Sequence, residues 1–192
     1  MSEEKNVVII FGSPRKNSNT HILMEEARKG ITEKGIQTQI FYLNEMNIKG
    51  CQACYYCKRN NVAECAIKDD MQKIHEALKK ADGMLITTPI YFGGVTAQTK
   101  LWLDRMFPFI DLKLNSFIAK GKKVAFIFTQ NQPAPGFFTN QINSFKNMVG
   151  IIGFEVKGSL LAYNLDKGYK PLVTENREFM RIAYELGRGL LE

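Results

Sequence analysis

Apolar residues fall into short blocks along the chain, separated by polar and glycine-rich segments. The block Val7–Phe11 is apolar throughout and reads as a buried strand. It runs into Gly12 and a loop of Ser, Arg, Asn and Thr, after which Leu23, Ala27 and Ile31 recur at helical spacing. A helix is predicted over about Asn19–Lys34, stopped at Gly35. Ile36–Leu43 is a second strand, and a loop covers about Asn44–Lys68. Asp69-Asp70 then offers an N-cap and first-turn acids for a second helix, with apolar face Met71, Ile74, Leu78 and Ala81. Met84–Thr88 is a third strand, ended by Pro89. A third helix starts near Thr96 and ends before Pro108. Lys123–Phe128 is a fourth strand. The polar loop Thr129–Gly136 leads to a fourth helix, about Phe137–Ile152. Glu155–Leu161 is the fifth strand, and Thr174 caps a last helix.

Strands and helices alternate five times, which implies parallel strands with crossover helices on both faces. The expected fold class is α/β: a flavodoxin-like doubly wound five-stranded sheet of order 2-1-3-4-5. Ligands of such sheets bind beyond the carboxyl ends of the strands, at the point where the order reverses. The loops after strands 1, 3 and 4 should therefore converge. Residues 1–192 read as one domain, and the only long irregular insertion is the segment 44–68.

The loop after the first strand suits an anion. The first N–H groups of a helix lack intrahelical partners, and its dipole places positive charge at the same end. Ser13, Ser18, Asn19 and Thr20 supply hydrogen-bond donors, and Arg15 supplies charge-assisted ones. The loop lacks the Gly-Lys-Ser/Thr ending of a Walker loop and has only one glycine, so a phosphomonoester held by side chains is what remains. An ordinary turn capped by Ser18 or Asn19 is the plainer alternative. After the third strand, Pro89-Ile90-Tyr91-Phe92-Gly93-Gly94 offers two aromatics to pack on a flat ring and two glycines for close backbone approach. With a phosphate on the first loop, this combination favours FMN. Amides at Gln130, Asn131 and Gln132 can line the same crevice, and a solvated loop reads equally well there. Lys100 and Asp104, four apart, read as a surface pair. His21 and His75 fall on the first two helices, where solvated or capping roles are the default.

Composition narrows the classes. Hydrophobic content of 45% and charged content of 23% describe a globular chain. No apolar run approaches the roughly 20 residues of a membrane helix, and the polar start MSEEKN with a short apolar stretch behind it does not read as a signal peptide. A cytoplasmic protein is expected, with no membrane partner. The net charge of +7 is scattered rather than gathered on a recognisable motif, so no nucleic-acid partner is expected.

Ser13 through Thr20, together with Pro89–Gly93, resemble the NADPH-dependent FMN reductase family. Thr96–Lys100 through Asp104-Arg105 is also similar, and Asp166-Lys167-Gly168 is a weaker match. The resemblance implies FMN phosphate at Ser13, Arg15, Ser18, Asn19 and Thr20. It implies isoalloxazine contacts at Pro89, Ile90, Tyr91, Phe92 and Gly93.

All four cysteines lie between Cys51 and Cys65. In a chain without a secreted disulfide framework, such a cluster reads as metal binding or redox chemistry. Cys51, Cys54 and Cys57, at successive two-residue gaps, can wrap a compact loop around one cubane, with Cys65 as fourth ligand. A zinc site remains an alternative, although it usually uses two separated pairs. Metal-free thiols, with Cys51 and Cys54 able to form a disulfide, are another. The spacing resembles the compact motif of iron–sulfur flavoproteins, a branch of the same family. That branch implies a [4Fe-4S] cluster near FMN, the cluster of one subunit facing the flavin of another, and hence a homodimer or homotetramer.

The expected function is an FMN-dependent NAD(P)H oxidoreductase, passing electrons to a cluster on the cysteine loop and on to a small-molecule or protein acceptor. No side chain is assigned as catalytic acid or base, because the flavin does the chemistry. Two rivals stand beside it: an electron carrier between protein partners, and a zinc-stabilised interaction module.

Overall fold

The computed structural model describes residues 4–165 and 171–192. Parallel strands β1 (Asn6–Phe11), β2 (Gln37–Tyr42), β3 (Gly83–Tyr91), β5 (Lys123–Thr129) and β6 (Glu155–Ala162) form one sheet of order β2-β1-β3-β5-β6. A short strand, β4 (Gly94–Val95), pairs antiparallel with the end of β3. With β4 set aside, this is the expected 2-1-3-4-5 flavodoxin-like order.

The sheet separates two apolar layers, and alternate residues of each central strand feed one or the other. Val8 and Ile10 of β1 pack with Ile86, Phe126, Trp102, Phe145 and Val149. That layer is covered by α3 (Met71–Lys80), α4 (Ala97–Asp104) and α5 (Thr139–Ile152). Val7, Ile9 and Phe11 pack with Leu23, Ala27, Ile31, Ile127 and Ala183 under α1 (Asn19–Thr32) and α6 (Arg177–Arg188). Because β1, β3 and β5 are covered on both faces, they read as nearly continuous apolar runs.

Helices α1 and α6 meet backbone to backbone. A Cβ on Gly187 would lie 1.9 Å from the carbonyl oxygen of Ala27, and one on Gly30 would lie 2.2 Å from that of Tyr184. Only glycine permits this approach.

Several element ends differ from expectation. Strand β3 does not stop at Pro89 but continues to Tyr91. Its partner β1 has already ended, at the pairing Phe11↔Thr87, so on that side proline's missing N–H breaks no ladder bond. The last helix is capped by Asn176, whose side chain accepts from the Phe179 N–H, and Thr174 lies in a preceding 3-10 turn. Asp70 occupies the N-cap position of α3 without a side-chain capping bond, because its carboxylate pairs with Lys73 and accepts from the Asn47 N–H. The cysteine segment is not wholly irregular: it contains a one-turn helix, α2 (Tyr56–Arg59).

Candidate functional site

The loop after β1 is braced from within. Ser13 is buried, and its hydroxyl accepts from the Arg15 N–H at 3.2 Å. Ser18 caps α1: its hydroxyl donates to the Arg15 carbonyl at 2.9 Å and accepts from the His21 N–H at 3.3 Å. The N–H groups of Asn19 and Thr20 belong to the first turn, which has no intrahelical partner. Asn19 spends its side-chain oxygen on the N–H groups of Leu172 and Val173, at 2.8 and 2.9 Å. Thr20 meets Thr129, at the end of β5, with 2.7 Å between hydroxyls.

The loop after β3 is a tight hairpin. Ile90 and Tyr91 pair with Val95 and Gly94, and Phe92 and Gly93 between them have φ of 49° and 84°. Two successive positive φ values are what a two-residue hairpin turn requires, and glycine normally fills such positions. Here Phe92 bears the strain, and its ring is fully exposed. Backbone strain of this kind, about 1–3 kcal/mol, collects at ligand clamps.

Buried hydroxyls hold this hairpin to the first loop. Thr96, the N-cap of α4, donates to the Gly12 carbonyl at 2.7 Å, and its hydroxyl lies 2.8 Å from that of Thr99. Thr99 in turn donates to the Thr88 hydroxyl at 3.1 Å. Gly12 leaves room for this network, because a Cβ there would stand 1.9 Å from the Thr99 hydroxyl.

The result is a single cleft of about 420 Å³ at the carboxyl end of the sheet. Arg15, Ser18, Asn19 and Thr20 line it from the first loop, and Pro89, Ile90, Tyr91, Phe92 and Gly93 from the second. Of the predicted cofactor contacts, only Ser13 lies outside the lining, beneath the loop. The third loop contributes Thr129, Gln130, Asn131 and Gln132. Gln130 is buried and donates through its amide nitrogen to the Ala134 carbonyl, while its side-chain oxygen has no hydrogen-bond partner among the described residues. A buried acceptor left unpaired is costly, and a ligand N–H or hydroxyl in the cleft would satisfy it. The segment Asp166-Lys167-Gly168 lies outside the described residues.

Cys51, Cys54, Cys57 and Cys65 line one small hollow on the other side of α4, with Tyr55, Arg105, Phe107 and Pro108 in its wall. The thiols influence one another: burial pushes the Cys57 thiol up, Cys65 and Cys51 add to this, and the neighbouring Lys58 opposes it. Ala53 and Tyr55, on either side of Cys54, have φ of 48° and 56°. This loop is wound more tightly than non-glycine residues prefer. Among the described residues no three His, Cys, Asp or Glu side chains converge enough to share one metal ion. A cubane asks for something different, since each thiolate binds its own iron and the four need only face one space. Lys58 fixes α2 by donating to the carbonyls of Phe107 and Ile110, and its ammonium sits 3.7 Å from the centre of the Phe107 ring.

Two residues beside this loop differ from expectation or were given no role. Arg105 forms a buried ion pair with Asp69 at 2.6 Å, both side chains almost wholly removed from water. Burial alone would raise the Asp69 pKa, but the Arg105 guanidinium and two backbone N–H groups hold it below the ordinary carboxylate value. No local signal links these residues, which lie 36 positions apart. His75 is neither solvated nor capping. It is 3% exposed, meets the Phe109 ring edge-on, and bonds through Nε2 to the Arg105 carbonyl at 2.9 Å. Burial holds its pKa down, at about 4. The ring is therefore neutral at pH 7, and Nε2 carries the proton, since a carbonyl only accepts. Lys100 and Asp104 form the expected exposed pair, at 2.7 Å.

A model of the NADPH-dependent FMN reductase family matches residues 5–148. The chain belongs to that family. Within it, the chain is similar to proteins named iron-sulfur flavoproteins. One, from Methanocaldococcus jannaschii, is 41% identical over 102 residues, 53% of this chain and 52% of that protein. Another, from Archaeoglobus fulgidus, is 43% identical over 99 residues, 52% of this chain and 49% of that protein. The matched region spans about half the length of these curated relatives. Among solved structures, the NAD(P)H:quinone oxidoreductase from Methanothermobacter marburgensis shares the fold, with a TM-score of 0.73, 16% identity and 96% of both chains covered. This FMN reductase family member thus keeps a flavodoxin-like sheet whose three loops close on one cleft. No helix among its described residues is long and apolar enough to cross a membrane.

Proposed function

We propose that the chain is an FMN-dependent oxidoreductase that takes electrons from reduced nicotinamide and shares them with a [4Fe-4S] cluster on its cysteine loop. The observation that carries the reading is the single cleft in which nine of the ten residues anticipated for FMN meet a buried glutamine oxygen that has no partner among the described residues. Bound there, FMN supplies hydride acceptance and one-electron donation. The chain would position it: Arg15 and Thr20, with the first N–H groups of the α1 turn that Ser18 caps, would hold the phosphate, while Asn19, its oxygen already engaged, would contribute its amide nitrogen. Pro89, Ile90, Tyr91, Phe92 and Gly93 pack on the ring system, and Gln130 accepts a hydrogen bond from the cofactor.

For the cluster the donor set is four thiols on a tightly wound loop facing one hollow, whose wall also includes Asp104, already paired with Lys100. Cys51, Cys54, Cys57 and Cys65 would hold it. The cleft and the hollow share no lining residue, which favours a homodimer or homotetramer in which one subunit's cluster approaches another's flavin. The iron-sulfur flavoproteins named above and the family's description support both cofactors and a nicotinamide donor. A cytoplasmic location fits a loop of free thiols.

The test is anaerobic purification with flavin, iron and sulfide analysis, followed by stopped-flow mixing with NADPH and NADH. Stoichiometric FMN and rapid bleaching support the enzyme. Protein that neither carries nor binds FMN at micromolar concentration overturns it. Bleaching by reduced ferredoxin alone makes the chain an electron carrier, a reading that the exposure of Cys51 and Cys54 also suits.

A further inference from the structure

Arg105 is unusual for a cation: its side chain is completely buried, and it is not in the FMN cleft. It follows the last turn of α4 and reaches both roots of the cysteine loop. One terminal nitrogen donates to the Lys49 carbonyl at 2.7 Å, two residues before Cys51. The other donates to the Ile67 carbonyl at 3.4 Å, two residues after Cys65. Both terminal nitrogens also donate to Asp69, at 2.6 and 3.1 Å, and Asp69 accepts from the Lys49 N–H at 2.9 Å. One ion pair therefore closes the base of the loop that bears all four thiols.

The remaining donor of the guanidinium, Nε, is buried and has no hydrogen-bond partner among the described residues. Arg105 is at the same time part of the wall of the thiol hollow. Cys65 lies beside it: burial works against the arginine's charge, but Asp69 and the Cys65 sulfur hold its pKa above the ordinary value. An unpartnered N–H in a buried site needs an acceptor, and a thiolate or cluster sulfide is the acceptor this wall would receive.

We propose that Arg105 is a positioning residue for the iron–sulfur site, one that fixes the loop and sets the cluster's reduction potential through a permanent cation and a spare N–H in the wall of the thiol hollow. The inference rests on the cluster reading above. Reduction adds negative charge to a cluster, so a buried cation and hydrogen bonds to its sulfurs raise the potential, and a buried carboxylate lowers it. Arg105 and Asp69 then act with opposite sign, although each is equally a part of the loop's scaffold. A purely structural role predicts no such opposition.

The experiment is a redox titration of anaerobically purified full-length protein, following cluster absorbance and the electron paramagnetic resonance signal of the reduced cluster. Iron and sulfide are measured on each sample. Arg105→Gln is expected to lower the midpoint potential and Asp69→Asn to raise it, while Arg105→Lys, which keeps the charge, falls between Arg105→Gln and the natural protein. Potentials that are unchanged, or that move in the same direction in Arg105→Gln and Asp69→Asn, overturn the proposal even if both variants lose iron. If Arg105→Gln does not fold, Asp69→Asn decides alone, and an unchanged or lowered potential rejects it. Natural protein free of iron and sulfide overturns the cluster reading itself and this proposal with it, before any variant is made.

Discussion

Gly12→Ala tests whether the two cofactor loops are held together by close packing around a buried hydroxyl network. The new Cβ would stand 1.9 Å from the Thr99 hydroxyl and 3.2 Å from Thr88. Something must move. Overpacking of a tight interior costs about 1–3 kcal/mol. Displacing the Thr99 hydroxyl also breaks its contacts with Thr88 and Thr96, all three fully buried, and stranding a buried polar group costs about 1–3 kcal/mol more. A loss of about 2–6 kcal/mol is expected from these two effects, or about 1–3 M in urea midpoint at a typical dependence on denaturant. Thr99→Ala removes the clashing oxygen and by itself costs about 1 kcal/mol in hydrogen bonding. The double variant should therefore be much more stable than the sum of the two changes predicts, with a coupling of about 2 kcal/mol. The assay is urea unfolding of all four proteins at one pH. Additivity to within about 0.5 kcal/mol would show that the approach of Gly12 to Thr99 is not what glycine provides there, and the reasoning would be refuted.

Other outcomes follow from the same geometry. Arg15→Ala should weaken FMN binding by about tenfold to a hundredfold, since a charge-assisted hydrogen bond is worth about 1.5–3 kcal/mol; flavin fluorescence quenching measures it. Gly187→Ala forces a methyl onto the Ala27 carbonyl between α6 and α1 and should cost about 1–3 kcal/mol, a fall of a few degrees in Tm by calorimetry. His75 makes stability fall in acid. Its folded pKa of about 4 lies below the ordinary 6.5, so the unfolded chain binds the proton first as pH drops. Its contribution is complete above about pH 6.5 and lost as pH falls through about 4, amounting to about 3 kcal/mol. His75→Gln, which keeps a donor for the Arg105 carbonyl, should remove that part of the pH dependence in urea midpoints measured from pH 7 to 4.

The sheet order and the cleft were legible because their signals are local. Val7–Phe11 and the apolar run of β3 could be nothing but buried strands, and the sheet's reversal then dictated which loops meet. Residue type and that reversal together anticipated which side chains would line the cleft, among them Arg15, Ser18, Thr20, Tyr91 and Gly93. What was not legible depends on distance in the sequence. Asp69 reads as a helix-capping acid, and its carboxylate does accept from the Met71 N–H, but its pairing with Arg105, far along the chain, has no local signal. His75 reads as a surface histidine because α3 is amphipathic, yet it falls on the edge of the buried stripe, against Phe109. Pro89 reads as a strand terminator because the loss of its N–H matters only where a neighbouring strand needs that bond. Asn19 reads as a phosphate ligand, and only the fold shows its oxygen gripping the Leu172–Val173 backbone.

Helix α4 connects the two sites, and both its ends are tied into them. Its N-cap hydroxyl, Thr96, is bonded to the carbonyl of Gly12, at the start of the first loop, and its C-cap residue, Arg105, closes the base of the cysteine loop. Eight residues of α-helix span about 12 Å, so the strut between the sites is short. Trp102 on its buried face is fully enclosed by the core, which leaves the helix little freedom to pivot. The first loop and the thiol loop are therefore joined through one short, well-packed element rather than through flexible chain. The cleft and the hollow share no wall, yet each is tied by a buried hydrogen bond to one end of α4.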